Sequence, residues 1–592
     1  MLTKLTIRNF KRLASVEVEL GQNVVLIGPN NSGKTSALQA LTLWDIGLRQ
    51  WLSKRGDKAG PEKRPGVTIN RRDLLAIPVP SANLLWRDLH VRDVTAKNGK
   101  TTRTQNIRID VIVEGIHAGK AWLCGLEFDY TNDESFACRP LRESGFENAK
   151  IADAKFTVIP EAMLLKREDE LTVPAVRVAY LPPMSGLTDR EFLKQPGEIG
   201  FLIGQGQTAQ VLRNLCYQVF QKDTALWQRI VGEVKSLFGV QMLDPQFRPE
   251  LAEISLAYRD VNGSQLDLSS AGRGLQQTLL LLSYLHANPA TTLLLDEPDA
   301  HLEILRQREI FRLLSRTAEQ FGSQVIAASH SEVILNEAAA TGKVIAFVGK
   351  PHVLSDRPSQ VIKALTEIGW EQYYQAEQRG WALYVENATD LAILQAFAEL
   401  LRHPAQGPLR GPFVHYVATN LPQRARDHFF GLREAKPDLV GLLLLDRIEK
   451  PLAGTSGPLT EVMWSRREIE NYFCTEEILL AYARGDQQAD DLFAIAEVQQ
   501  REQAMRESIA EVSSALQTLG KGIAWSDDVK ASDDFLDPVF RLFFMKLRLP
   551  LVLRKSDYYQ LVRLMAQDQV PAEVLEKLAM ISVVAETAKP ER

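Results

Sequence analysis

The chain has 592 residues, 45% of them hydrophobic and 24% charged, with a formal net charge of −5. That length exceeds what a single hydrophobic core organises, so two or three soluble globular domains are expected. The slightly negative balance excludes a globally basic nucleic-acid binder, and any DNA contact must use a local basic groove. Cys124, Cys138, Cys216 and Cys474 are scattered, with no C-x-x-C and no neighbouring His at ligand spacing, which excludes a disulfide framework or a zinc ligand set and reads as buried, reduced thiols. No uninterrupted apolar stretch reaches membrane-spanning length and no signal-like segment opens the sequence, so a cytoplasmic protein without a membrane partner is expected.

Leu2 to Phe10 alternates apolar and polar residues, and Val16 to Leu20 repeats the habit, as an antiparallel lead-in does. The apolar run Val24 to Ile27 then feeds Gly28-Pro29-Asn30-Asn31-Ser32-Gly33-Lys34-Thr35, a G-x-x-x-x-G-K-[ST] phosphate-binding loop between a strand and a helix. The backbone around Asn30, Asn31, Ser32 and Gly33 suits a phosphate cradle, Lys34 brings charge to the β- and γ-phosphates, and Thr35 offers a hydroxyl to Mg²⁺. ATP is the expected ligand.

Lys54 to Arg72, rich in Lys, Arg, Gly and Pro, reads as a mobile surface loop before a DNA-binding arm. Ile107 to Val113 and Ala121 to Tyr130 predict a hairpin around 114–119, and Val178 to Leu187 a strand ending in a proline-fixed turn near the ATP face. One helical segment is predicted over Ala209 to Leu237; its stripe of Leu212, Leu215, Val219 and Phe220 suits packing on a second subunit and core packing equally.

Leu268-Ser269-Ser270-Ala271-Gly272-Arg273-Gly274 leads into a helical run from Thr278 to His286, and small residues at a helix start favour anions. Thr292 to Asp299 is an apolar run ending in acids, where Asp296 is suited to hold Mg²⁺ and Glu297 to orient the attacking water. Gln324 to Ser331 predicts a buried strand delivering His330 to its carboxyl end. Taken alone, His330 reads as a structural histidine; its position after the other motifs favours a γ-phosphate contact.

These motifs, with Asn9-Phe10-Lys11 at the front and Asp299 as the D-loop, occur in the order of the ABC/SMC ATPase heads, and the chain resembles that superfamily over residues 1 to about 45 and about 240 to 350. Ser-Ser-Ala-Gly-Arg-Gly stands where the family signature is Leu-Ser-Gly-Gly-Gln. The resemblance implies two heads sandwiching two ATP molecules, with Ser269, Ser270, Gly272 and Gly274 completing the site of the other subunit, and hence a homodimer or an assembly of dimers. It frames residues 1–350 as the ATPase domain with an insertion at about 45–240.

Beyond Pro351 the order strand, helix, strand restarts with Trp381 to Glu386, Asp390 to Leu401 and Leu439 to Asp446. Parallel pairing brings Glu386 and Asp446 to one sheet edge, with Glu449 and Glu470 approaching from later segments, a carboxylate set of the type that selects Mg²⁺. Any one of these acids alone reads more simply as a solvent-facing strand end. Asp533, Asp534 and Asp537 read as a solvated turn.

Tyr384-Val385-Glu386-Asn387-Ala388-Thr389-Asp390 resembles the V-E-G-x-x-D opening of a Toprim domain, Leu443 to Asp446 its second acidic strand, and Arg467 to Phe473 the R-x-I-E-N-Y segment of related bacterial proteins. An ABC-type head followed by Toprim is the layout of the OLD (overcoming lysogenization defect) nucleases and is similar to Gabija and PARIS anti-phage components. The fold class expected is therefore α/β, an ABC/SMC-like P-loop head with a large insertion, a Toprim-like Rossmannoid domain at 351–480 and a helical C-terminal region at 481–592. The resemblance implies a Mg²⁺-dependent DNA endonuclease, with Mn²⁺ as an alternative ion, in which Glu386, Asp446 and Glu449 hold the metal, Glu470 completes the catalytic set and Lys530 or Lys555 supports the phosphate. Asn387 stands in the family's glycine position, and Asp446-Arg447-Ile448-Glu449 lacks the second aspartate of D-x-D, so Glu449 is the expected substitute. The altered motif keeps a second reading open, an ATP-gated sensor or scaffold that binds a partner effector protein without cutting nucleic acid. A chromosome-structuring ATPase predicts long heptads between the Walker motifs, and the sequence has none.

Overall fold

The computed structural model describes the chain except residues 56–65, 75, 98–99, 118–119, 142–163, 167–171, 175, 183–186, 205, 355–367, 419–420, 450–451, 453, 455–456, 486–491 and 591–592. Parts of the predicted basic loop, the tip of the predicted hairpin and the proline turn after Leu181 therefore lie outside the described residues. The chain divides into two compact units, Met1–Pro358 and Ser359–Arg592.

In the first unit the strand Asn23–Ile27, buried along its whole length, sits inside a six-stranded sheet. The order is Arg177–Leu181, Thr291–Asp296, Gln324–Ala328, Asn23–Ile27, Lys343–Ala346 and His352–Val353, all pairs parallel but the last. These strands are continuously apolar because both faces are covered. Leu294, Ile326 and Ala328 belong to a core shared with Trp44 of the helix Lys34–Arg55, whereas Leu293, Leu295, Val325 and Ala327 join Trp227 and Leu279 in a second core. The period of two thus divides each strand between two cores.

A second, antiparallel sheet closes over the helix Lys34–Arg55 in the order Leu13–Glu19, Leu2–Phe10, Arg108–His117, Lys120–Asn132, Ser135–Pro140 and Val67–Asn70. The predicted hairpin is its centre, so much of the expected insertion is framework. The single helix expected over 209–237 is instead two, Leu212–Lys222 and Thr224–Phe238. Asp223 breaks it, since its carboxylate accepts the Ala225 N–H at 2.8 Å and starts a new helix. Leu212, Leu215 and Val219 are buried in the unit's own core, which decides the open choice for that stripe.

The second unit is built on a parallel four-stranded sheet, ordered Val414–Tyr416, Trp381–Val385, Val440–Leu445 and Leu459–Met463. After the first strand in sequence the chain pairs its successors on opposite sides, so a switch point falls between Trp381–Val385 and Val440–Leu445. Helices Leu492–Thr518, Asp537–Lys546 and Ala572–Thr587 contribute Met505, Phe540 and Ile581 to the same core as Leu383 and Leu444. The C-terminal helices are therefore part of this unit and share its core, and residue 480 separates no two cores.

Candidate functional site

The phosphate loop takes the backbone its glycines permit, with φ of 146° at Gly28 and 108° at Gly33. A Cβ at Gly28 would stand 2.7 Å from the Phe347 carbonyl oxygen. Lys34 folds over the loop, donating to the carbonyls of Gly28 at 2.7 Å and Pro29 at 3.0 Å. Burial pushes its ammonium down to about 8, with Asp296 and Glu297 pulling the other way. Ser32 Oγ is buried without a hydrogen-bond partner. A donor-rich loop with a partly desolvated ammonium and an unsatisfied hydroxyl fits a polyphosphate.

Around the loop, Thr35 Oγ1 donates to Asp296 Oδ1 at 3.1 Å and the Tyr180 hydroxyl donates to Oδ2 at 2.8 Å. Burial raises the Asp296 carboxyl, and these two hydrogen bonds oppose it. Glu297, at φ 50°, donates its N–H to the Ala328 carbonyl at 2.8 Å, a turn that ends the strand and leaves the carboxylate beside His330 in the cleft. His330 is shifted down, by burial first and by the Lys34 charge second, so it is neutral at pH 7. Ser329 Oγ donates to Asp299 Oδ1 at 2.7 Å and fixes the turn between these motifs. The cleft, of about 440 Å³, is lined by Asn30, Asn31, Ser32, Gly33, Lys34, Thr35, Asp296, Glu297 and His330 together with Arg12. Mg²⁺ at Thr35 and Asp296 fits a cation that keeps most of its waters and takes one or two carboxylates. Sequence reasoning missed Tyr180 and Arg12; the only trace was the strand from Val178 aimed at the ATP face.

Ser269, Ser270, Gly272 and Gly274 are not in this cleft. Gly272 caps the helix Arg273–Ala287, and Gly272, Arg273 and Gly274 line a separate cleft of about 300 Å³ with His301 and Glu303. Ser269, Ser270 and Gly272 are exposed.

In the second unit, Glu386 and Asp446 each follow the last residue of two paired parallel strands, whose register sets Tyr384 against Leu443. Asp390, in the first turn of Ala388–Leu400, accepts the Glu386 N–H at 3.1 Å. Asn387 serves where the resemblance expects glycine because its φ is −153°, extended backbone open to any residue, and its side chain caps the helix by accepting the Thr389 N–H at 2.8 Å. Glu468 and Glu470 are buried in the Arg467 to Phe473 segment; Glu468 accepts the Ser532 N–H at 2.9 Å and stands 3.7 Å from Lys530 Nζ.

These acids repel one another. Asp446 is pushed up to about 9 by burial, then by Asp390, Glu470, Glu468 and Glu386; Glu470 is pushed up to about 8 by burial and Glu468, with Lys555 opposing; Asp390 rises to about 6 through burial and Glu386. Glu386 Oε2 is buried without a partner. Glu449 is exposed, and it is not among the groups acting on Asp446. The neighbourhood expected for it holds Asp390 and Glu468 instead; both stood in the quoted motifs without a role. Asp533, read as part of a solvated turn, is ion-paired with Lys530 and with Lys555 at 3.0 Å. Among the described residues no three His, Cys, Asp or Glu side chains converge as a preformed metal site. Mg²⁺ requires no such cage, because one or two carboxylates plus water and substrate phosphate suffice, so Glu386 and Asp446 at the ends of paired parallel strands fit it.

The first unit is thus a mixed α/β P-loop ATPase domain. Its family likeness agrees: residues 1–44 match the family described as "AAA ATPase domain", and residues 218–336 match "AAA domain, putative AbiEii toxin, Type IV TA system". Solved structures similar to the chain include the SMC head domain of Thermotoga maritima, 16% identical over 60% of this chain and 98% of that one, with a TM-score of 0.29. An SmcHead bound to the C-winged helix domain of ScpA is 14% identical over 61% and 99%, with a TM-score of 0.33. A third, the Smc head with an extended coiled coil bound to the C-terminal domain of ScpA, derived from Pyrococcus furiosus, is 13% identical over 62% and 99%, with a TM-score of 0.34. No curated protein matches the chain significantly. No helix among the described residues is long and apolar enough to cross a membrane.

Proposed function

We propose that the protein is an ATP-controlled, Mg²⁺-dependent DNA endonuclease of OLD type, acting in bacterial anti-phage defence, with the second unit as its Toprim-like nuclease. The carrying observation is the pairing of Glu386 and Asp446 at a parallel-sheet switch point, among buried acids whose mutual repulsion calls for a cation. A divalent ion there, Mg²⁺ or Mn²⁺, would activate the attacking water and neutralise the leaving oxygen. Asp446 holds a proton at neutral pH until a competing positive charge displaces it, and Glu470 does the same deeper in the site. Lys555 and Lys530, fixed by Asp533, supply the positive rim for a phosphodiester.

In the ATPase unit Glu297 orients water and neutral His330 contacts the γ-phosphate. The signature residues Ser269, Ser270, Gly272 and Gly274 lie outside the cleft of their own chain, which supports a homodimer in which each head completes the site of its partner. The test is cleavage of plasmid, linear and single-stranded DNA and of RNA with Mg²⁺ or Mn²⁺, with and without ATP, beside Glu386→Ala. Cutting of DNA that the variant loses is expected. ATP hydrolysis with no cutting would instead favour the sensor or scaffold that binds a partner effector, a reading supported by the exposed Glu449.

A further inference from the structure

Ser269 and Ser270, exposed and outside the ATP cleft of their own chain, stand on one short turn, Leu268–Ser270, between the strand Gln265–Asp267 and the helix Arg273–Ala287. Directional contacts set its orientation. Asp267 caps it, its Oδ1 accepting the Ser269 N–H at 2.8 Å. Gln276, 3% exposed, reaches back from the helix and donates Nε2–H to the carbonyls of Leu268 at 3.0 Å and Ala271 at 3.1 Å. Behind the cap, Arg213 Nη2 donates to the same Oδ1 of Asp267 at 2.9 Å.

Arg213 is itself fixed at both ends. Its backbone N–H donates to Glu191 Oε2 at 2.9 Å, beside the Asn214 N–H on Oε1 at 2.6 Å, so a buried carboxylate meets the open donors at the start of the helix Leu212–Lys222. Its guanidinium places Nη1 on the Thr188 carbonyl at 2.9 Å and Nη2 on Asp267. The Arg213 side chain is 2% exposed, whereas that of Asp267 is 47% exposed. Burying a guanidinium against a carboxylate that stays half in water adds little stability, because desolvation offsets much of the attraction. Nor does the turn need the pair for attachment, since Leu268 is fully buried in one core with Leu212 and Leu275. What the pair adds is direction: it sets the Asp267 carboxylate and, through it, the Ser269 backbone.

We propose that Arg213 is a positioning residue for ATP hydrolysis at the facing head, holding the Ser269–Ser270 turn, through Asp267, in the orientation that the nucleotide of the opposing subunit meets. The role rests on the homodimer proposed above. Groups that act on a reacting centre must be held to about 0.5 Å, and a displacement of about 1 Å costs on the order of 100-fold in rate. Loss of Arg213 therefore slows the chemistry across the interface and leaves nucleotide binding to its own phosphate loop, whose cleft Arg213 does not line.

The test uses the full-length Arg213→Met chain, in which an apolar side chain of similar length occupies the same buried space. It is expected to bind fluorescent ATP with a Kd within about twofold of the parent and to hydrolyse ATP about 10- to 100-fold more slowly, a loss in kcat and not in binding. Arg213→Lys, which keeps a charged donor for Asp267, should recover part of the rate. Asp267→Ala, a change at a half-exposed side chain, should reproduce the defect, and the double variant should be no slower than the slower single one. Mixed with Lys34→Ala, which keeps the turn intact and lacks a working phosphate loop, Arg213→Met should regain activity at roughly a quarter of the sites. Asp267→Ala carries the same mixing test if Arg213→Met does not fold, and Gly272→Trp mixed with Lys34→Ala is the control for the homodimer. Recovery in the control alone places the action of Arg213 in its own head, by way of Thr188, and overturns this role while leaving the homodimer. Recovery in neither mixture overturns both. A parental rate in Arg213→Met, or additive losses in the double variant, overturns the role as well.

Discussion

Tyr180 donates its hydroxyl hydrogen to Oδ2 of Asp296 across 2.8 Å, so the outermost strand of the parallel sheet holds the acid that faces the Mg²⁺ position. Thr35 holds the other oxygen at 3.1 Å. Since burial raises the Asp296 carboxyl, removing the phenol raises it further and favours the proton over the metal. Tyr180→Phe should lose about 1–2 kcal/mol of stability and need severalfold more Mg²⁺ for ATP hydrolysis than the parent at the lower of two pH values, with the gap narrowing at the higher. A Mg²⁺ titration at both pH values checks this; identical curves would remove Tyr180 from the metal site.

Burial lowers Lys34 to about 8, and phosphate must raise that value because it favours the ammonium. ATP affinity should therefore be flat below pH 7 and weaken above pH 8 by up to about tenfold per unit, the limit for one proton taken up on binding. Lys34→Ala should abolish binding, while Glu297→Gln should retain ATP and slow hydrolysis by about 100-fold or more. Fluorescent-nucleotide binding and phosphate release separate the two; rapid turnover by Glu297→Gln would overturn its role.

Gly28 combines a φ of 146° with a Cβ position 2.7 Å from the Phe347 carbonyl oxygen. Neither strain can be relieved by rotating a side chain. Gly28→Ala should cost about 2 kcal/mol or more and empty the ATP site, read as a lower Tm and lost nucleotide binding.

Asp446 binds its proton more tightly when folded than when unfolded, so its contribution favours folding at low pH and is lost as pH rises through about 9. Without divalent ions the second unit should lose stability over pH 6 to 9, and Mg²⁺ or Mn²⁺ should restore it increasingly across that window. Asp446→Asn should raise the Tm in EDTA by a few degrees and abolish the metal-dependent gain, with ATP affinity unchanged. A variant less stable than the parent in EDTA would show that the repulsion is answered within the fold.

Gly272 is exposed with open space around its Cβ position, so Gly272→Trp leaves the head folded while obstructing an opposing one. Lys34→Ala and Gly272→Trp chains should each be inactive alone, and a mixture should regain ATPase activity at roughly a quarter of its sites, as random C2 pairing dictates. No recovery would mean that each head works without the signature segment of another.

How much of this was legible in the sequence follows from how local each signal is. The phosphate loop, the acidic strand end at Asp296 and the paired ends at Glu386 and Asp446 were readable because strand–turn–helix chemistry is written in adjacent residues. The break at Asp223 was local too, and the continuous apolar stripe around it concealed the capping residue. Asp390 and Glu468 stood inside recognised motifs, yet their place beside Asp446 depends on a helix start and on the Ser532 backbone, 64 residues further along.

By itself the sequence determined a nucleotide-binding P-loop head followed by a second α/β unit, because periodicity and turn chemistry act over a few residues. Only the tertiary structure decided that Tyr180 reaches Asp296, that Glu449 stays in solvent and that the C-terminal helices share the core of the second sheet. Each depends on which distant surfaces are desolvated against one another, and burial and charge coupling across a fold leave no mark in the spacing of residues along the chain.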